Sequence, residues 1–134
     1  MKIDPRLHHY AQNIVPNSLE RVIEMYVLLG CKVVYRPNNG YNWAMVAQEP
    51  LNFAIQIVEV EEKPIIDLDI KRKVHIAFLS DNPKKIIQKI EGWAKQNNIA
   101  FREGGWSEKE RYFDLPEIFV NFVVEVMHTS IEEE

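Results

Sequence analysis

The stretch "NFAIQIV", Asn52 to Val58, returns almost unchanged as "NFVVEVM", Asn121 to Met127. Each copy opens Asn-Phe and continues in strand-forming apolar residues, broken at the fifth place by Gln56 in one and Glu125 in the other. Side chains alternate faces along a strand, so Ala54, Gln56 and Val58 share one face and Asn121, Val123 and Glu125 share the matching one. A polar group on an apolar strand face needs a partner, because burying an amide or carboxylate without one costs several kcal/mol, on the order of 2–7.

Outward from these strands, the two halves of the chain repeat one order of elements. In the first, "LHHYAQNIV" is a strand and Pro16-Asn17-Ser18 a stop and helix N-cap. "SLERVIEMYVLLG" then spaces Leu19, Val22, Ile23, Tyr26 and Leu29 for an amphipathic helix ending at Gly30. The runs "CKVVYR", "NWAMVAQ" and "NFAIQIVEV" follow, divided by turn residues at "PNNGY" and "EPL". In the second half "VHIAFL" is a strand and "NPKKIIQKIEGWAKQNN" a helix with Ile86, Ile87, Ile90, Trp93 and Ala94 on one face. "IAFR", "RYF" and "FVNFVVEVMH" complete it, with "EGGWSEKE" as a polar loop and "DLPE" as a turn. His9 in "HYA" matches His75 in "HIA", and each precedes by 27 residues an arginine that closes an aromatic-ended strand, Arg36 and Arg102. An internal duplication accounts for the match. The expected architecture is α+β: two tandem βαβββ modules forming a curved mixed sheet around a concave site. A single domain spans 1–134, with module one at about 7–60, a linker at 61–72 and module two at about 73–128.

Composition narrows the function classes. At 134 residues, 46% apolar and 27% charged, the chain is long enough for one buried core and ordinary for a globular protein. A net charge of -4 argues against nucleic acid as a partner, since that binding draws on clustered Lys and Arg. The short basic run "KRK", Lys71 to Lys73, reads as solvated linker. No apolar segment approaches the roughly 20 residues that span a bilayer, and "MKIDPRLHHYAQ" lacks a signal-peptide core. The lone Cys31 forms no intrachain disulfide and reads as a small buried hydrophobe. The expectation is a cytoplasmic protein with a small-molecule substrate and no membrane or nucleic-acid partner.

The duplication sets His9 and Gln56 in one module against His75 and Glu125 in the other. If the open faces of both sheets line the concave space, two imidazoles, one amide and one carboxylate meet there, and a divalent ion would satisfy them. Such nitrogen and oxygen donors suit Zn, Ni, Co, Mn or Fe(II) without distinguishing among them. His8 is a rival to His9, although "HYA" matching "HIA" favours His9; Asn121 is a rival to Glu125, although "NFAIQ" matching "NFVVE" favours Glu125.

From "LHHYAQNIVPNSLERVIEMYVLLGCKVV" through "KVHIAFLSDNPKKIIQKI" to the final strand, the chain resembles the vicinal oxygen chelate superfamily. That superfamily includes glyoxalase I, methylmalonyl-CoA epimerase, extradiol dioxygenases and the fosfomycin and bleomycin resistance proteins. In it the ligands lie on the first and last strands of each module, which maps onto His9, Gln56, His75 and Glu125. The set looks most like the epimerase branch, with glyoxalase I close behind. The sequence departs from the family's "DPDG"-like turn, for Asp114 opens "DLPE" without a glycine, and "NWAMVAQ" carries no carboxylate where the epimerases use one. The resemblance implies a lyase or isomerase in which a metal stabilises an enediolate and Glu125 is the catalytic base. It implies equally a metal-free alternative, sequestration of an aromatic or cationic molecule in the manner of the bleomycin-resistance members, with Trp43 as a cavity wall. Family members commonly pair, so a homodimer is expected.

Overall fold

The structure is a computed structural model that describes residues 3–38, 40 and 42–133; part of the turn expected at 37–41 lies outside them. The chain divides into two compact units, Met1–Val60 and Glu61–Glu134. The first carries β1 (His9–Ile14), α1 (Leu19–Leu28), β2 (Lys32–Tyr35), β3 (Trp43–Ala47) and β4 (Ala54–Glu59). The second carries α2 (Leu68–Lys71), β5 (His75–Ser80), α3 (Pro83–Gln96), β6 (Arg102–Ser107), β7 (Glu110–Asp114) and β8 (Val123–His128), and closes with a 3-10 turn, Thr129–Glu133. The fold is α+β with two four-stranded mixed sheets of the same topology, β1-β4-β3-β2 and β5-β8-β7-β6. In each, the first and last strands of the module pair in parallel and the remaining pairs are antiparallel.

The register of the first and last strands repeats between the two modules. His9 pairs with Ala54 and Ala11 with Gln56; His75 pairs with Val123 and Ala77 with Glu125. Gln56 and Glu125 are therefore equivalent positions, as are His9 and His75, while Asn121 falls before β8 begins. Arg36 and Arg102 are not equivalent. Arg36 follows β2, but Arg102 opens β6, which runs on through Ser107 where the sequence read as a polar loop. Gly104 and Gly105 mislead because they weaken strand propensity, and antiparallel pairing with β7 overrides it.

One face of each sheet is packed beneath a helix. In the first unit Gln12, Ile14, Ala44, Val46, Ile55 and Ile57 are buried, as are Val22, Met25 and Tyr26 of α1. Gly30 (φ 91°) follows the helix in the left-handed conformation its stop requires. The start of α1 departs from expectation: the Ser18 hydroxyl donates to Val15 O, and the helix is capped by a carboxylate from β4. Glu59 Oε2 accepts from the Ser18 and Leu19 amides at 3.1 and 3.0 Å, placing negative charge at the positive end of the helix. In the second unit Asn82 caps α3 through Lys85 N, with Pro83 at the first position, and Ile87, Ile90 and Ala94 are buried.

Cys31 is buried beside this core, and desolvation pushes its thiol up to about 11. At pH 8 its thiolate fraction, and so its alkylation by iodoacetamide, is expected to lie roughly two orders of magnitude below that of a free cysteine. Full reactivity should return on unfolding in urea. Because the folded value exceeds the unfolded one, this group's stabilising contribution is complete below pH 8 and is lost as pH rises toward 11.

Candidate functional site

Directly paired residues project to the same side of a sheet, so in the first unit the face opposite α1 carries His9, Ala11, Ala54, Gln56, Met45, Trp43 and Tyr35. His9 is exposed and Gln56 half-buried. His8 and His9 meet edge to face, their Nδ1 atoms 2.9 Å apart, so one ring donates to the other. His8 is thus hydrogen-bonded to its rival. A pocket of about 820 Å³ opens on this unit, with Tyr35, Trp43, Met45 and Phe53 as apolar walls and Arg6 and Glu49 among its charged groups. The Tyr35 and Trp43 rings stack at 5.4 Å between centroids.

In the second unit the equivalent face carries His75, Ala77, Val123, Glu125 and Tyr112. Here two of the expected donors come together: His75 Nε2 lies 3.4 Å from Glu125 Oε1. The other ring nitrogen, Nδ1, is 2.9 Å from the Arg72 carbonyl. A carbonyl only accepts, so Nδ1 carries a proton and Nε2 is the atom presented to the carboxylate. Glu125 is 5% exposed, and burial raises its pKa above the ordinary carboxylate value. His75 opposes that shift and Glu110 adds to it. Two facing atoms that each hold a lone pair need a cation between them, either a proton or a metal ion. Donors held tetrahedrally at metal–ligand distances of about 2.1 Å stand roughly 3.4 Å apart. The pair therefore fits half of a divalent metal site. Among the described residues no three His, Cys, Asp or Glu side chains gather into a metal-holding group.

Trp106 walls the pair, 5.1 Å from the His75 ring and 5.0 Å from that of Tyr112, with the Arg72 guanidinium 5.8 Å above its own ring. Tyr112 lies across Gly104, where an added Cβ would stand 2.5 Å from the phenolic oxygen and 2.6 Å from Cζ. Since Tyr112 is 3% exposed, Gly104→Ala should displace a buried ring. The expected cost is about 1–3 kcal/mol, read as a lower urea midpoint with altered tryptophan fluorescence. The Gly-Gly-Trp sequence was the available signal for this close approach.

The basic run corrects the sequence reading most sharply. Lys71 is fully buried, its Nζ 2.9 Å from Asp114 Oδ1 and 3.2 Å from Oδ2; Asp114 is itself fully buried. Arg102 Nε reaches the same carboxylate at 2.9 Å. Lys73 is exposed, as expected, but Lys71 is not solvated linker. His128 is half-buried, its Nδ1 bonded to Ser130.

Each module has its first strand parallel to its last, the α+β arrangement that the sequence leads one to expect. Particular solved structures share it. A fosfomycin resistance protein, FosX, from Listeria monocytogenes, in a variant form complexed with Mn(II) and 1S,2S-dihydroxypropylphosphonic acid, matches at TM-score 0.60 and 14% identity over 98% of this chain and 97% of that one. A glyoxalase/dioxygenase from Nostoc punctiforme matches at 0.57 and 19% identity over 96% of each. The antibiotic binding protein TnmS3 from a Streptomyces species matches at 0.53 and 13% identity over 96% and 98%. At these identities the likeness is one of fold. No protein-family model matches the sequence, and no curated sequence matches it. Among the described residues no helix is long and apolar enough to cross a membrane.

Proposed function

We propose that the protein is a glyoxalase-like divalent-metal enzyme that moves a proton in a small carbonyl or oxyanion substrate, a lyase or isomerase. The observation that supports it is the His75–Glu125 pair, an N and O donor set at 3.4 Å whose imidazole is already held through Nδ1. His9 and Gln56, at the equivalent positions of the first module, are the further donors in this reading, within one domain of 134 residues. The bound ion would supply Lewis acidity toward the substrate oxygen. Glu125 takes the proton alpha to the carbonyl, and its burial raises its basicity toward what a general base at neutral pH requires. Trp106 and Tyr112 flank the pair, with Glu125 buried and His75 open to solvent on the side from which a substrate would approach.

Titration of metal-free protein with Co(II) tests the reading. One equivalent per chain should bind with visible absorption, weaken strongly in His75→Ala, and weaken in His9→Ala if the first module contributes. Solvent deuterium exchange into 2-oxo acids and thiol adducts of 2-oxo aldehydes should require the ion and fail in Glu125→Gln. Neither metal uptake nor exchange would leave the reading without support. The chain is also proposed to be a cytoplasmic homodimer, which a monomer in sedimentation at micromolar concentration would refute.

A second reading, metal-free binding of a planar aromatic molecule, is favoured by the first unit's pocket with its Tyr35–Trp43 stack. It expects quenching of tryptophan fluorescence that survives EDTA and is lost in Trp43→Leu.

A further inference from the structure

α2 is a single helical turn, too short to hold itself, and its one buried residue is a lysine. Leu68 is half-covered, Ile70 is 55% exposed, and Lys71 is wholly enclosed against Asp114. None of the apolar side chains of α2 is fully buried, as those of α1 and α3 are; its one enclosed group is the lysine of the ion pair. Asp114 ends β7, and Arg102 of β6 shares its carboxylate while extending Nη2 to Ile66 O at 3.4 Å. Both cations on Asp114 thus hold the segment that enters β5. The next residue after Lys71 is Arg72, whose carbonyl receives the His75 Nδ1 proton, and the backbone is continuous into the strand through Val74 N to Lys71 O at 3.2 Å.

We propose that Lys71 is a positioning residue: its buried ion pair with Asp114 fixes the α2 turn so that Arg72 O holds His75 in the Nδ1–H tautomer, with Nε2 turned to Glu125. The inference rests on the reading of His75 as a metal donor for its purpose but not for its geometry. A ring whose Nδ1 is tied presents Nε2 to an ion without reorganising; a ring released from the carbonyl spends part of its time with Nε2 protonated and unable to bind. The Arg72 side chain makes separate contacts, over Trp106 and with Asp69 at 3.1 Å.

The test reads the ring in metal-free protein by long-range 1H–15N correlation, above the pH range in which ordinary imidazoles are protonated. His75→Gln identifies the signal among the four histidines. Wild type should show the Nδ1–H tautomer alone. Lys71→Met should populate the Nε2–H tautomer and weaken Co(II) binding about 10–100-fold, whereas Lys73→Met, in the same run but exposed, should change neither. If Lys71→Met does not fold, Lys71→Met with Asp114→Asn removes the tether without an unpaired buried charge and should give the same tautomer shift. A folded variant of either kind that keeps His75 wholly Nδ1–H overturns the inference, as does a wild-type ring not in that form. Should wild type bind no Co(II), the metal reading fails while the tautomer result still decides this one.

Discussion

Asp114→Ala should lower stability by about 3–5 kcal/mol, the cost of leaving a buried charge without its partner, and should be the most damaging single substitution in the second unit outside its apolar core. Lys71 is fully enclosed and cannot reach water, whereas Arg102, about one-third exposed, can turn outward when the carboxylate is gone. Desolvation already holds the Lys71 pKa below its ordinary value, with Asp114 opposing the shift. Removing Asp114 depresses it further, so the folded state binds fewer protons than the unfolded one and stability rises with pH up to the unfolded lysine value. The penalty measured by urea unfolding should therefore be largest near neutral pH and shrink toward pH 10. Lys71→Met with Asp114→Asn should cost less than Asp114→Ala alone. A penalty under about 1 kcal/mol, the range of exposed ion pairs, would mean that Lys71 finds water or another partner.

Glu125→Gln should have opposite effects with and without metal. In the proposed site the carboxylate is a ligand, and since losing an outer-shell partner alone costs 10–100-fold in affinity, losing Glu125 should weaken Co(II) binding by about 100-fold or more. In EDTA the sign reverses. Burial raises the folded pKa of Glu125, so its contribution to stability is full below the ordinary carboxylate value and is lost as pH rises through the folded value. The amide escapes that loss. Metal-free Glu125→Gln should match wild type near pH 4 and exceed it at pH 8, by thermal unfolding. A variant less stable than wild type at pH 8 in EDTA would show that pairing with His75 outweighs the desolvation of the carboxylate.

What was legible in the chain depended on periodicity. The helical spacing of Ile86, Ile87, Ile90, Trp93 and Ala94 after Asn82-Pro83 predicts α3, and the helix is there, with Ile87, Ile90 and Ala94 buried and Ile86 and Trp93 half-buried. The equivalence of Gln56 and Glu125 was read from "NFAIQ" and "NFVVE", and the strand register agrees. Strand β6 was misread because Gly104 and Gly105 carry a loop signature locally, and only Tyr112 lying over Gly104 explains why a glycine stands in a strand there. The cap of α1 was assigned to Ser18 by proximity, but Glu59, forty residues away in the chain, supplies it. Pairing at that separation leaves no local trace.

By itself the sequence determined the α+β class, the strand–helix–three-strand order repeated in the two modules and which strand faces carry the polar residues, but not the α2 turn in the stretch that reads as linker, because alternation and helical spacing are properties of neighbouring residues. Tertiary structure decided which of those groups meet. It joined His75 to Glu125, tied the imidazole to Arg72 O, and turned Lys71 from an apparent surface charge into a buried anchor on Asp114. Burial and pairing depend on residues distant in the chain, and a lysine's charge costs little in water but requires a partner once enclosed.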